Sequence, residues 1–192
     1  MTVKTIGVLA LQGSFAEHLR VLERIGGVKA VPVKSRGGLD AADGLILPGG
    51  ESTAQGKLLR DFGLLEPLRR RILRGMPVWG TCAGAILLAG TIAGGEPTHL
   101  GVMDITVRRN AYGGQLNSFA ASAVLPEVSA EPLPLVFIRA PWIERTGARA
   151  RPLAVLEGRI VAARQKNMLA TVFHPELTPD QRFHRYFISF LR

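Results

Sequence analysis

The chain begins with an almost continuous apolar run, Thr5 to Leu11, the pattern of a strand buried on both faces. The run stops at Gln12-Gly13. Ser14-Phe15-Ala16-Glu17 follows, a capping box that predicts a helix with Phe15, Leu19, Leu22 and Ile25 on its apolar face and Gly26-Gly27 beyond its end. Ala30 to Lys34 predicts a second strand, and Gly44 to Leu47 a third that runs straight into Pro48-Gly49-Gly50-Glu51-Ser52-Thr53. Helical patterning resumes over 54–60 and 64–73. Pro77-Val78-Trp79 then predicts another brief strand, and Gly80-Thr81-Cys82-Ala83-Gly84 opens a helix through Leu88. Strands alternating with helices imply a parallel sheet covered on both faces.

The second half changes character. Val102 to Arg108 alternates in the β manner. Leu135 to Ile138, Leu153 to Leu156, Ile160 to Arg164 and Ala170 to Phe173 are short candidate strands, and Tyr186 to Leu191 a closing helix. No repeat, low-complexity tract or linker divides the halves, and 192 residues fit one domain, 1–192.

Composition narrows the class. With 47% hydrophobic and 20% charged residues the chain reads as globular. No apolar run has the length of a membrane span, and the N-terminus lacks the form of a secretory signal, so the expectation is a cytoplasmic protein with no membrane partner. The net charge of +9 raises the question of nucleic acid, but apart from Arg69-Arg70-Arg71 with Arg74, and Arg145, Arg149 and Arg151, the basic residues are scattered, and neither cluster is interleaved with aromatics. A solvated surface is the plain reading, a docking face for an acidic protein the alternative, and no nucleic-acid partner is expected. Cys82 is the single cysteine. It makes no disulfide within the chain and is either inert core or chemistry.

Its neighbours favour chemistry. Strand, Gly-x-Cys-x-Gly and helix match the strained turn that displays a nucleophile above an α/β sheet. A thiol nucleophile needs a base, and the base a third group to orient it. Of the four histidines, His18, His99 and His184 read as surface residues. His174 instead follows the apolar Thr171-Val172-Phe173 and precedes Pro175-Glu176. The proline is expected to keep the path extended, so that His174 and Glu176 project to one side and the carboxylate reaches the imidazole. The turn Pro48-Gly49-Gly50 ends a central strand, where open α/β sheets bind ligands, and its glycines allow a backbone amide close to a developing oxyanion. Ser52 or Thr53 would cap the following helix.

The set of Gly80-Thr81-Cys82-Ala83-Gly84, His174-x-Glu176 and Pro48-Gly49-Gly50 resembles the class I glutamine amidotransferases, whose Cys-His-Glu triad sits on a flavodoxin-like, three-layer α/β/α fold with a mostly parallel central sheet. Within them, Gly7 to Gly13, Pro48 to Thr53, Arg109-Asn110-Ala111-Tyr112-Gly113, Phe137 to Pro141 and His174 to Leu177 together resemble the glutaminase subunits of pyridoxal 5′-phosphate synthase over essentially the whole chain. The resemblance implies Cys82 as nucleophile, His174 as base and Glu176 as orienting carboxylate. It implies that Gly50, Glu51, Ser52, Arg109, Ile138 and Arg139 bind L-glutamine, that amides of Gly49, Gly50 and Ala83 form the oxyanion hole, and that Gln12 faces a partner. That partner would be a separate (β/α)₈ synthase, joined in a large hetero-oligomer, that takes ammonia and builds the pyridoxal ring from a pentose phosphate and a triose phosphate. No cofactor and no metal are implied. Gly114 stands where relatives commonly carry arginine. The competing readings are the glutaminase of another ammonia-channelling synthase, such as imidazole glycerol phosphate synthase, and a non-catalytic regulatory subunit. The N-terminal Leu11-Gln12-Gly13 and the block from Phe137 to Pro141 argue against the first, the intact triad against the second.

Overall fold

A computed structural model describes residues 3–109 and 118–191; Gly114 and the block from Asn110 to Gly113 lie outside them. The first half alternates as expected: β1 (Lys4–Leu9), α1 (Phe15–Ile25), β2 (Val28–Val33), α2 (Arg36–Asp40), β3 (Gly44–Leu47), α3 (Ser52–Asp61), α4 (Leu65–Leu73), β4 (Val78–Thr81) and α5 (Ala83–Leu88). Then come β5 (Ala89–Ile92), β6 (Met103–Arg108), β7 (Ser118–Leu125), β8 (Ser129–Ile138), β9 (Trp142–Thr146), β10 (Arg151–Leu156), β11 (Arg159–Gln165) and β12 (Met168–Thr171). A 3₁₀ turn at Pro175–Leu177 and α6 (Arg182–Ile188) close the chain.

The main sheet runs β2-β1-β3-β4-β12-β11-β9-β6-β5, with β10 beside β11. Its first five strands are mutually parallel. Their order, 2-1-3-4-5, is the flavodoxin-like one, in which ligands bind beyond the carboxyl ends of the strands. Helices α1 and α6 pack together on one face, and α3 packs with α4 and α5 on the other. The strand at the end of this set, β12, arrives from the far end of the chain and pairs in register with β4, Thr171 beside Thr81. This pairing brings residues 174–176 next to Cys82.

The antiparallel part of the sheet, β12-β11-β9-β6, extends the parallel set, and a separate hairpin, β7-β8, stands against it. Of the elements found, α2, β5, β7 and β9 had no sequence expectation. They are short, or alternate apolar with small and polar residues, as in the pattern Ser118-Phe119-Ala120-Ala121-Ser122 of β7. Arginines expected to be solvated do structural work in part: Arg69 donates to the Leu100 carbonyl (3.0 Å), and Arg71 to the carbonyls of Leu39 and Ala42. Among the described residues no helix is long and apolar enough to cross a membrane.

Candidate active site

Cys82 lies between β4 and α5 with φ 50° and ψ −105°, left-handed backbone that a non-glycine residue rarely adopts. Such strain costs on the order of 1–3 kcal/mol and persists only where the surroundings impose it. Here they do. The Cys82 amide donates to the Thr171 carbonyl at 2.8 Å, tying the elbow to β12. A Cβ on Gly84 would collide with the Leu47 carbonyl of β3, so the helix can leave the sheet this closely only with glycine there.

His174 follows β12 and donates from Nδ1 to Glu176 Oε1 at 2.7 Å. The expected contact is present, but its local cause differs from the expectation: Pro175 starts a 3₁₀ turn rather than an extended path, and the turn folds the carboxylate back under the imidazole. Cys82 is near enough to His174 to be among the groups that raise the pKa of the imidazole. Cys82 and His174 thus share one side of the site, with Glu176 buried behind the imidazole.

The electrostatics follow from these contacts. Burial alone would lower the His174 pKa, but the hydrogen bonds to Cys82 and Glu176 and the Glu176 charge outweigh it and raise it from 6.5 to about 10. For Glu176 burial works upward. The His18 imidazole and the hydrogen bonds from His174 and Ser14 prevail and hold it down from 4.5 to about 2. The stability linked to His174 is therefore complete below pH 6.5 and lost as pH rises through about 10. That linked to Glu176 is complete above pH 4.5 and lost as pH falls through about 2. A histidine NMR titration should find the His174 ring doubly protonated at pH 8. In Cys82→Ala, which removes one of the raising partners, it should titrate lower. An inflection at 6.5 in the wild-type chain would contradict this geometry.

The serine read as a helix cap is put to other use. Ser14 makes no side-chain capping bond. Its hydroxyl donates to Glu176 Oε1 at 2.8 Å, and its amide donates to the Gly49 carbonyl at 3.0 Å. One residue thus links the Glu176 carboxylate to the glycine turn. Nor do Ser52 or Thr53 cap α3: the Glu51 carboxylate accepts from the amides of Thr53 (3.1 Å) and Ala54 (2.7 Å). Glu51 also pairs with Arg109 at 3.1 Å, and Arg109 reaches Glu96 at 2.7 Å.

A cavity of about 500 Å³ opens over the cysteine. Gln12, Gly49, Gly50, Glu51, Ser52, Cys82, Ala83, Arg109, Ile138, Arg139 and His174 line it, so every residue named from the sequence for this site is at its wall except Glu176, which stands behind His174. Ser14, Ile86, Pro141 and Leu177 complete the lining. Arg139 has φ 45°, a second strained non-glycine residue at the rim. The Ile138 carbonyl oxygen is 3.9 Å from Cys82 Sγ. Gln12 accepts from the Glu51 amide at 3.0 Å, which fixes it against the glycine turn. A Cβ on Gly49 would overlap the His174 ring. Among the described residues no group of three or more His, Cys, Asp or Glu side chains is placed to hold a metal ion.

The histidine reading needs correction. His18 and His184 are fully buried rather than on the surface, and His99 is half-buried. The signal for His18 was its spacing: three and four residues before Val21 and Leu22, it belongs to the buried stripe of α1.

This geometry belongs to the glutamine amidotransferase fold. A crystal structure described as a glutamine amidotransferase superposes with a TM-score of 0.91 at 44% identity, covering 97% of this chain and 98% of that one. The chain belongs to the SNO glutamine amidotransferase family, whose model matches residues 8–192. Similar curated proteins carry the name pyridoxal 5′-phosphate synthase subunit PdxT. One, from Clostridium botulinum (strain Loch Maree / Type A3), is 55% identical over 184 residues, 96% of this chain and 95% of that protein. Another, from Roseiflexus sp. (strain RS-1), is 56% identical over 188 residues, 96% and 99% of the two.

Proposed function

We propose that the chain hydrolyses L-glutamine to L-glutamate and ammonia through Cys82, His174 and Glu176, and passes the ammonia to the synthase subunit of a pyridoxal 5′-phosphate synthase. The observation that carries the chemistry is Cys82 and His174 together at the wall of a cavity about 500 Å³ in volume, with Glu176 2.7 Å behind the imidazole. The acceptor is inferred from the relatives' shared name at more than half identity over nearly the whole chain.

The Cys82 sulfur attacks the side-chain amide carbon of glutamine while His174 holds the proton that the thiol gives up. The carbonyl oxygen becomes an oxyanion, met by amides of the Gly49-Gly50 turn and Ala83. His174 then donates its proton to the departing nitrogen, so that ammonia leaves and a glutamyl thioester remains. Water attacks the thioester as His174 takes its proton. Glutamate departs as the Cys82 sulfur leaves the carbonyl carbon, and the proton taken from water stays on His174 for the next cycle. Glu176 supports each imidazolium stage, which is why its carboxyl is kept ionised. Arg109 and Arg139 supply positive charge for the α-carboxylate of glutamine, with Gly50, Glu51, Ser52 and Ile138 shaping the rest of the site.

Ammonia released into neutral water is protonated and ceases to be a nucleophile, so the activity is useful only beside an acceptor. The contact that couples the two is assigned to Gln12, which holds the Glu51 amide directly after the glycine turn. The isolated chain is expected to hydrolyse glutamine slowly. Saturating synthase should raise kcat by roughly 10²-fold, the worth of one oxyanion donor, and Gln12→Ala should lose most of that gain. Steady-state glutamate release with and without the synthase checks it. Full activity of the chain alone would contradict the coupling, and no glutamate under any condition would contradict the function.

A further inference from the structure

Behind the triad lies a second set of buried groups that the chemistry above does not use. His18 of α1, Thr81 at the end of β4 and His184 of α6 meet beneath Glu176. His18 Nδ1 is 3.0 Å from His184 Nε2. His18 Nε2 is 3.2 Å from Thr81 Oγ1 and 3.5 Å from Glu176 Oε2. Both imidazoles are 0% exposed and packed against Trp79, with ring centroids 5.6 and 4.9 Å from it.

The two carboxylate oxygens of Glu176 are unequal. Oε1 accepts from His174 and Ser14. Oε2 is buried with no hydrogen bond among the described residues, and the polar atom that His18 turns toward it is Nε2. A lone pair on that nitrogen would face the Glu176 anion in a low-dielectric interior, whereas an N–H there faces both that anion and the Thr81 hydroxyl oxygen, so the Nε2 atom carries the proton. Burial keeps His18 from charging, against the pull of Glu176, and lowers His184 likewise. In a neutral ring with Nε2–H, Nδ1 is an acceptor, and His184 Nε2–H must be its donor. The remaining His184 nitrogen, Nδ1, is then a bare acceptor. It has no hydrogen bond among the described residues, which costs less than a buried unpaired N–H.

We propose that His18, set in its tautomer by His184, is a positioning residue that presents a neutral Nε2–H to the free oxygen of Glu176 and so keeps the other oxygen on His174. The proposal rests on the triad reading. Neither histidine lines the cavity, so the effect is on turnover and not on glutamine binding. Without His18 the carboxylate can rotate about its last bond, and the imidazole loses a fixed partner at the moment it carries charge.

In the complex with the synthase, His18→Leu should lower kcat roughly tenfold at unchanged KM, the scale of one contact to a charged group. His18→Gln, whose amide carries both a donor and an acceptor, should recover most of the loss. A folded His18→Leu chain with wild-type kcat, a His18→Gln chain as poor as His18→Leu, or a KM that rises in step would overturn the proposal. The wild-type chain supplies a test that needs no variant: ¹⁵N-histidine NMR should show His18 and His184 both as neutral Nε2–H tautomers, and an Nδ1–H tautomer at His18 would overturn it. Failure of the triad itself reads out separately, as glutamine turnover by Cys82→Ala.

Discussion

Cys82→Ala should leave no measurable glutamine hydrolysis, with or without the synthase, a loss of about 10⁴-fold or more. The fold should survive. The elbow needs a small residue, the elbow amide still reaches the Thr171 carbonyl, and alanine fits where the cysteine side chain is nearly buried. The expected pair of results is a normal thermal melt with no glutamate released. His174→Ala should cost as much, because nucleophile and base act as a unit. Glu176→Gln should cost less in rate, since its task is orientation. It also brings an amide into a pocket built for an anion, where Ser14 and His174 both donate to Oε1. Activity of Cys82→Ala within tenfold of wild type would remove the cysteine from the chemistry.

The second large effect is expected at a residue with no side chain. Gly49→Ala should lower kcat by about 10²-fold, because a Cβ there overlaps the His174 ring and a displacement of about an ångström in a catalytic group costs that much. The same change disturbs the turn proposed to supply the oxyanion amides. Its carbonyl is the acceptor of the Ser14 amide, and Ser14 in turn holds Glu176. Kinetics of Gly49→Ala beside its thermal melt separate loss of geometry from loss of fold. Wild-type kcat would show that the imidazole does not need the space the glycine leaves.

Cys82 and His174, the proposed nucleophile and base, stand out in the sequence because their local grammar is unusual. A cysteine between glycines after an apolar strand, and a histidine and carboxylate two residues apart at a strand end, each have few other uses. The parallel half of the sheet was legible for a similar reason, since continuous apolar strands such as Gly44-Leu45-Ile46-Leu47 are buried on both faces. The antiparallel half was harder. Strands such as β7 half-bury only alternate residues, and their small and polar positions resemble loop. The supporting groups were hidden by long-range geometry. Ser14 looks like a cap, and only the fold shows that its hydroxyl has a better partner 162 residues away. His18 and His184, 166 residues apart, look polar on their own helices and become core where α1 and α6 meet beneath the β4–β12 seam. Glu51 was read as substrate-binding, and the fold adds a second task, the cap of α3.

The central claim is that glutamine passes through a thioester on Cys82. Acid quenching of the chain and synthase during turnover, followed by mass spectrometry of the intact chain and its peptides, tests it most directly. The account predicts a glutamyl adduct that appears only with glutamine, maps to the peptide containing Cys82, and is absent in Cys82→Ala. Glutamate release with the adduct on another residue, or undiminished release by Cys82→Ala, would contradict it.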